Sequence, residues 1–172
     1  RVLVRGATGG QGGAVVDALL ERGRRVRALL RDPAGRSERR LAERDVEVVA
    51  GSFDDRESLT VAMQGVSGVF ALTTPFEAGV DAEIRQGRAI VAAARQARVP
   101  HLVFSSVAGA DQYTGVPHFD SKAVIESEIV TAGVPYTILG PTYFFDNALG
   151  GADHILAGVL ELPLSSDRPL QQ

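Results

Sequence analysis

Gly6-Ala7-Thr8-Gly9-Gly10-Gln11-Gly12 follows a short β-like run, Val2-Leu3-Val4, and precedes an amphipathic helical run, which is where a phosphate-cradling glycine loop sits. Gly6 permits the tight turn out of the strand. Gly9 lets backbone amides approach a pyrophosphate with no Cβ in the way, and Gly12 lets the helix pack close to the sheet. The unpaired N–H groups and positive dipole end of the helix N-terminus then favour a bound anion. The chain has 19 glycines, so the spacing alone is a weak signal; the strand–loop–helix context gives it weight. The stretch, with Thr8, Gly10 and Gln11 between its spaced glycines, reads as a dinucleotide-binding loop.

Working outward, apolar β-like runs recur at Val2–Val4, Val26–Leu30, Val46–Ala50, Gly68–Leu72, Leu102–Phe104 and Tyr136–Leu139. Between them lie segments of helical period, Ala14–Glu21, Ser37–Arg44, Glu57–Met63, Asp81–Arg98 and Asp120–Thr131. Strand and helix alternate, and the strands are short and continuously apolar. That pattern predicts a parallel sheet covered on both faces, an α/β doubly wound fold with strand order 3-2-1-4-5-6. Gly23, Gly65 and Gly133 fall where helix C-terminal caps are expected. Residues 1–142 form the expected dinucleotide domain. Residues 143–172 read as the start of a small C-terminal substrate lobe, too short to complete a substrate pocket.

Composition narrows the function classes. With 45 % hydrophobic and 23 % charged residues, the 172-residue chain is an ordinary globular sequence. A net charge of −3 offers no general attraction to nucleic acid or to an anionic membrane, and the arginines between Arg22 and Arg44 are interleaved with acids. Neither a nucleic-acid partner nor a membrane partner is expected. The absence of cysteine excludes disulfides and thiolate catalysis, so redox chemistry needs a borrowed cofactor. No apolar run approaches a membrane span and no signal peptide opens the chain, so a cytoplasmic location is the default expectation. No metal site is expected.

The remaining chemistry-bearing residues fall at predicted strand ends, where open α/β sheets bind ligands. The second strand ends in Arg31-Asp32, where an adenosine ribose is read. An arginine forks onto a 2′-phosphate and an acid accepts the 2′-OH; Arg31 comes first, which favours NADP(H), with NAD(H) open through Asp32. Arg5 is a charge at the end of a buried strand. It either adds a phosphate contact or pairs with a carboxylate such as Asp54. Ser52 and Phe53 are placed to lie along an adenine, although Gly51-Ser52-Phe53-Asp54-Asp55 also reads as a turn with an acidic helix cap. Thr73 and Thr74 would border the nicotinamide ribose, and Ser105 and Ser106 end the fifth strand in the same crevice. His118 and Lys122 are four apart and share a face if their helix begins early enough. Lys122 is the candidate ribose contact and pKa-lowering charge, and His118 the candidate proton donor; a turn histidine is the bland alternative.

From Gly6 to Asn147 the chain resembles the NmrA-like group of the short-chain dehydrogenase/reductase superfamily, atypical members with an NAD(P)-binding Rossmann domain. The resemblance rests on Gly6–Gly12, on Arg27-Ala28-Leu29-Leu30-Arg31-Asp32-Pro33, on His118-Phe119-Asp120-Ser121-Lys122, and on Gly140-Pro141-Thr142-Tyr143-Phe144-Phe145-Asp146-Asn147. It implies that Pro141 and Tyr143 border the cofactor. It also implies that Lys122 and Ser106 belong to a proton-delivering set whose tyrosine position is held here by His118. Two further departures are Ser52, where relatives usually carry an acid, and Arg5, where threonine is common. The resemblance implies either of two functions. One is an NADPH-dependent reductase of a quinone or small carbonyl, which tolerates a missing tyrosine because hydride acceptance yields a stabilised phenolate-like oxygen. The other is a non-catalytic NADP(H) sensor that binds a protein partner.

Overall fold

The computed structural model describes residues 1–31 and 35–159, so Asp32, Pro33 and the chain beyond Val159 lie outside the described residues. Six strands, β1 (Val2–Arg5), β2 (Val26–Leu30), β3 (Glu47–Ala50), β4 (Gly68–Leu72), β5 (Leu102–Ser105) and β6 (Tyr136–Leu139), form one sheet. Its order is β3-β2-β1-β4-β5-β6 and every pairing is parallel, as the alternation predicts. The connecting helices are α1 (Gly10–Glu21), α2 (Arg36–Ala42), α3 (Arg56–Met63), α4 (Val80–Gln96) and α5 (Pro117–Thr131). A 3₁₀ segment, Phe145–Gly151, and a short α6 (Ala152–Leu156) follow β6.

The period of two along each strand divides the core into two layers. Leu3, Leu29, Val69, Ala71, Leu102 and Phe104 pack with Leu59, Met63, Ile90 and Ile125 beneath α3, α4 and α5. Val4, Ala28, Leu30 and Phe70 pack with Val16, Leu41 and Val46 beneath α1 and α2. Central strands are therefore apolar on both faces, as a parallel sheet requires. At Gly87 an added Cβ would come within 2.5 Å of Ile125 Cγ1, so the missing side chain lets α4 seat against α5. Gly23, Gly65 and Gly133 each adopt positive φ just past a helix, the left-handed conformation of a C-terminal cap.

β1 lies between β2 and β4, so the chain leaves it towards opposite halves of the sheet at this point. Such a switch leaves a crevice beyond the strand ends. The glycine loop opens into it.

Candidate functional site

Beyond Arg5 the backbone turns at Gly6, with φ of +72°, and the Gly9 N–H donates to the Gly6 carbonyl at 2.9 Å. α1 begins one residue later. Gly13 donates to the Gly9 carbonyl at 2.7 Å, so the preceding amides of Gly10, Gln11 and Gly12 belong to the open first turn of the helix. No side chain caps this end. A Cβ at Gly12 would stand 2.1 Å from the Gly6 carbonyl oxygen, so the loop closes on the helix only because both positions are glycine. The turn leaves a helix N-terminus uncovered at a sheet switch point, which is the geometry of an anion cradle.

A cavity of about 510 Å³ lies in front of the loop. Gly6, Thr8, Gly9, Gly10, Gln11, Gly12, Arg31, Phe53 and Thr74 line it, all of them positions singled out in the sequence. Arg5, Leu29, Leu30, Leu72 and Glu77 complete the wall. Gln11 reaches across to β5, its Nε2 donating to Ser105 Oγ at 2.8 Å. Arg31, at the tip of β2, pairs with Glu77 on the loop after β4 at 2.9 Å; both side chains are largely exposed. This contact spans the crevice mouth, and at such exposure it contributes at most about 1 kcal/mol.

Ser52 is not part of the lining. Its hydroxyl accepts from Asp54 N and its backbone N–H donates to Ser58 Oγ, both at 3.2 Å, while Asp55 caps α3 by accepting from Glu57 N and Ser58 N. The structure therefore gives this segment its turn-and-cap form, with Phe53 alone turned to the cavity. Arg5 forms no ion pair with Asp54 and stacks on the Phe53 ring, 3.6 Å from guanidinium carbon to centroid. Pro141 accepts from Ala108 N at 3.0 Å, and Tyr143 is half-buried in the segment after β6; neither lines the cavity.

α5 begins at Pro117, where the missing proline N–H costs no helical bond, so His118 and Lys122 do lie on one helical face. Their side chains nevertheless have separate surroundings. His118 packs edge-on against Phe119 at 4.7 Å and tilted against Phe76 at 6.0 Å. Ser106 donates to Glu126. Lys122 is buried, and its Nζ donates to Thr73 O at 2.6 Å, Thr73 Oγ1 at 2.8 Å and Glu83 Oε1 at 2.8 Å. An ammonium has three donors, and all three are engaged. Among the described residues no hydrogen bond joins any two of His118, Lys122 and Ser106.

The carboxylate holding Lys122 is fully buried and was not among the residues singled out. Glu83 also accepts from Thr73 Oγ1 at 2.8 Å and from Ser121 Oγ at 2.5 Å. Burial pulls the Lys122 ammonium below the ordinary lysine range, and the hydrogen bond and charge of Glu83 oppose that pull. The cluster ties the end of β4 to α4 and α5. It fixes Thr73, and through it the Thr74 loop that borders the cavity. The sequence carried one signal for Glu83: it falls on the stripe of Gly87, Ile90, Val91 and Ala94, an acid on the buried face of an amphipathic helix.

Fold and site together define a doubly wound dinucleotide-binding domain. The sequence profile of the NmrA-like family matches residues 1–171, and the chain belongs to that family. It is 34 % identical over 173 residues to a (4-alkanoyl-5-oxo-2,5-dihydrofuran-3-yl)methyl phosphate reductase of Streptomyces griseus, covering 98 % of this chain and 57 % of the relative. Among solved structures, the triphenylmethane reductase of Citrobacter sp. complexed with NADP(H) superposes with a TM-score of 0.81 at 30 % identity, covering 92 % of this chain and 56 % of that one. An NADPH-dependent quinone oxidoreductase of Escherichia coli complexed with NADPH gives a TM-score of 0.80 at 26 % identity, covering 92 % and 54 %. The chain thus spans about half the length of these relatives. Among the described residues no helix is long and apolar enough to cross a membrane.

Proposed function

We propose that this chain carries the cofactor half of an NAD(P)H-dependent oxidoreductase, with NADP(H) preferred over NAD(H) and a quinone or small carbonyl as acceptor. The observation that carries the reading is the approach of Gly12 to Gly6, which leaves the first turn of α1 open to an anion at the sheet switch point. The wall residues fit the rest of a dinucleotide. Phe53 and the Leu72 side chain offer apolar surface for a base, and Arg31 offers a guanidinium fork for a 2′-phosphate in exchange for the exposed Glu77. The reductase names of the relatives support the activity.

NADPH supplies a hydride when bound. This chain's residues bind and orient it: amides of Gly10, Gln11 and Gly12 hold the diphosphate, Thr74 borders the ribose, and Gln11 fixes the β5 side of the crevice through Ser105. Lys122 acts as a positioning residue, since its donors are committed to Thr73 and Glu83. His118 is the proton donor to the reduced acceptor oxygen, placed at the start of α5 against Phe76. Ser106 and Tyr143 border the acceptor, and the dinucleotide domain ends near residue 142.

The test is loss of NADPH absorbance in the presence of quinone acceptors, compared between wild type and His118→Ala. Proton donation predicts slower turnover with unchanged NADPH affinity. Equal turnover in the two proteins would remove His118 from the mechanism, and no NADPH consumption with any acceptor would refute the oxidoreductase reading.

A further inference from the structure

Two cations line the crevice, Arg5 and Arg31, and Lys122 lies behind it; among the described residues Arg31 and Lys122 have carboxylate partners. Glu77 is committed to Arg31 at 2.9 Å and Glu83 to Lys122 at 2.8 Å. Among the described residues Arg5 has only neutral partners. Its Nη2 donates to Gln86 Oε1 at 3.4 Å, its Nε has no hydrogen-bond partner, and its plane lies against Phe53. The side chain is only 7 % exposed, yet it lines the same cavity as the glycine loop. Alternation along β1 explains the burial, because Arg5 follows Leu3 onto the α3–α5 face of the sheet.

A buried guanidinium without a carboxylate is costly, and the fold returns little for it. Burial lowers the Arg5 pKa to about 10; Glu77 and Glu83 counter this from a distance and Arg31 adds to it. The group therefore stays charged at neutral pH. Phe53 lies against the guanidinium, the one side-chain bond to Gln86 is long at 3.4 Å, and a planar fork is suited to phosphate oxygens. Arg5 directly precedes Gly6, whereas Arg31 stands at the tip of the neighbouring strand, so the two arginines address different parts of a ligand.

We propose that Arg5, stacked on Phe53, is a second anion anchor of the crevice and grips the diphosphate of a bound nucleotide together with the first-turn amides of α1. The inference rests on the dinucleotide reading above and adds to it a side chain from the end of β1.

The test is calorimetric titration of wild type, Arg5→Met and Arg5→Lys with ADP, NADP+ and adenosine 2′-monophosphate, alongside the melting temperature of each ligand-free protein. An anchor on the diphosphate predicts that Arg5→Met weakens ADP and NADP+ by about tenfold or more, the scale of one charge-assisted contact, and leaves adenosine 2′-monophosphate unchanged. Arg5→Lys keeps part of the ADP affinity. Ligand-free Arg5→Met melts no lower than wild type, because an unpaired buried cation has been removed. Equal ADP affinity in wild type and Arg5→Met overturns the proposal, as does an equal loss for adenosine 2′-monophosphate, which would mark a packing role. If wild type binds NADP+ and only the Arg5 result fails, the cofactor reading survives without the anchor; if wild type binds none of the three, both fall.

Discussion

Glu83→Gln removes one charge from a buried cluster. Glu83 is fully buried and accepts from Lys122, Thr73 and Ser121, so the substitution leaves the Lys122 ammonium buried with hydroxyl, amide and carbonyl partners alone. Breaking a buried pair from one side costs about 3–5 kcal/mol, and at this chain length that lowers Tm by roughly 10 °C. Lys122→Met alone strands the carboxylate and carries a similar cost. The double variant removes both charges and is expected to lose less than the sum of the singles, with a coupling of about 2 kcal/mol or more. The chain has no tryptophan, so urea unfolding is followed by far-UV circular dichroism. The same pair sets an alkaline signature. Burial holds the folded-state Lys122 pKa below its ordinary 10.5, so between the folded value and 10.5 the unfolded chain binds more protons and stability rises with pH. Lys122→Met should lose that rise. A Glu83→Gln protein within about 0.5 kcal/mol of wild type, or additive singles, would refute the claim that these residues form one clamp.

The site makes further demands. Gly12→Ala forces a Cβ to within 2.1 Å of the Gly6 carbonyl, so the loop must open; nucleotide affinity should fall by at least about a hundredfold with the helical circular dichroism signal retained, and unchanged affinity would contradict the close-approach argument. His118→Ala should lower kcat by about a hundredfold or more without changing NADPH affinity if the imidazole delivers the proton, measured by steady-state NADPH oxidation.

What the sequence made legible follows from how local each signal is. Strand and helix alternation recovered the six strands and their order, because the central strands are apolar on both faces and the edge strands still carry short apolar runs. The glycine loop's place at the cavity was legible because its conformation depends on backbone alone, and Arg31's place in the wall because it stands at the end of the neighbouring strand. Boundaries were less visible: α1 starts at Gly10 and not Ala14, since glycines hide the first turn, and α5 starts at Pro117 and not Asp120, because a first-turn proline and histidine add nothing to the apolar period. The 3₁₀ segment Phe145–Gly151 and α6 carry no helical period long enough to read. Long-range partners were hidden. Nothing near Lys122 in sequence points to Glu83, 39 residues earlier, and the lysine read as a ribose contact has its three donors on Thr73 and Glu83. Ser106 with Glu126 and Arg31 with Glu77 are likewise contacts that only the fold creates.

The central claim is tested most directly by titrating the chain with NADPH, NADP+, NADH and NAD+, and repeating the series on Arg31→Ala. The account predicts binding with a preference of about tenfold or more, roughly 1.4 kcal/mol, for the 2′-phosphorylated pair, and loss of that preference in the variant. Binding of none of the four nucleotides would contradict it.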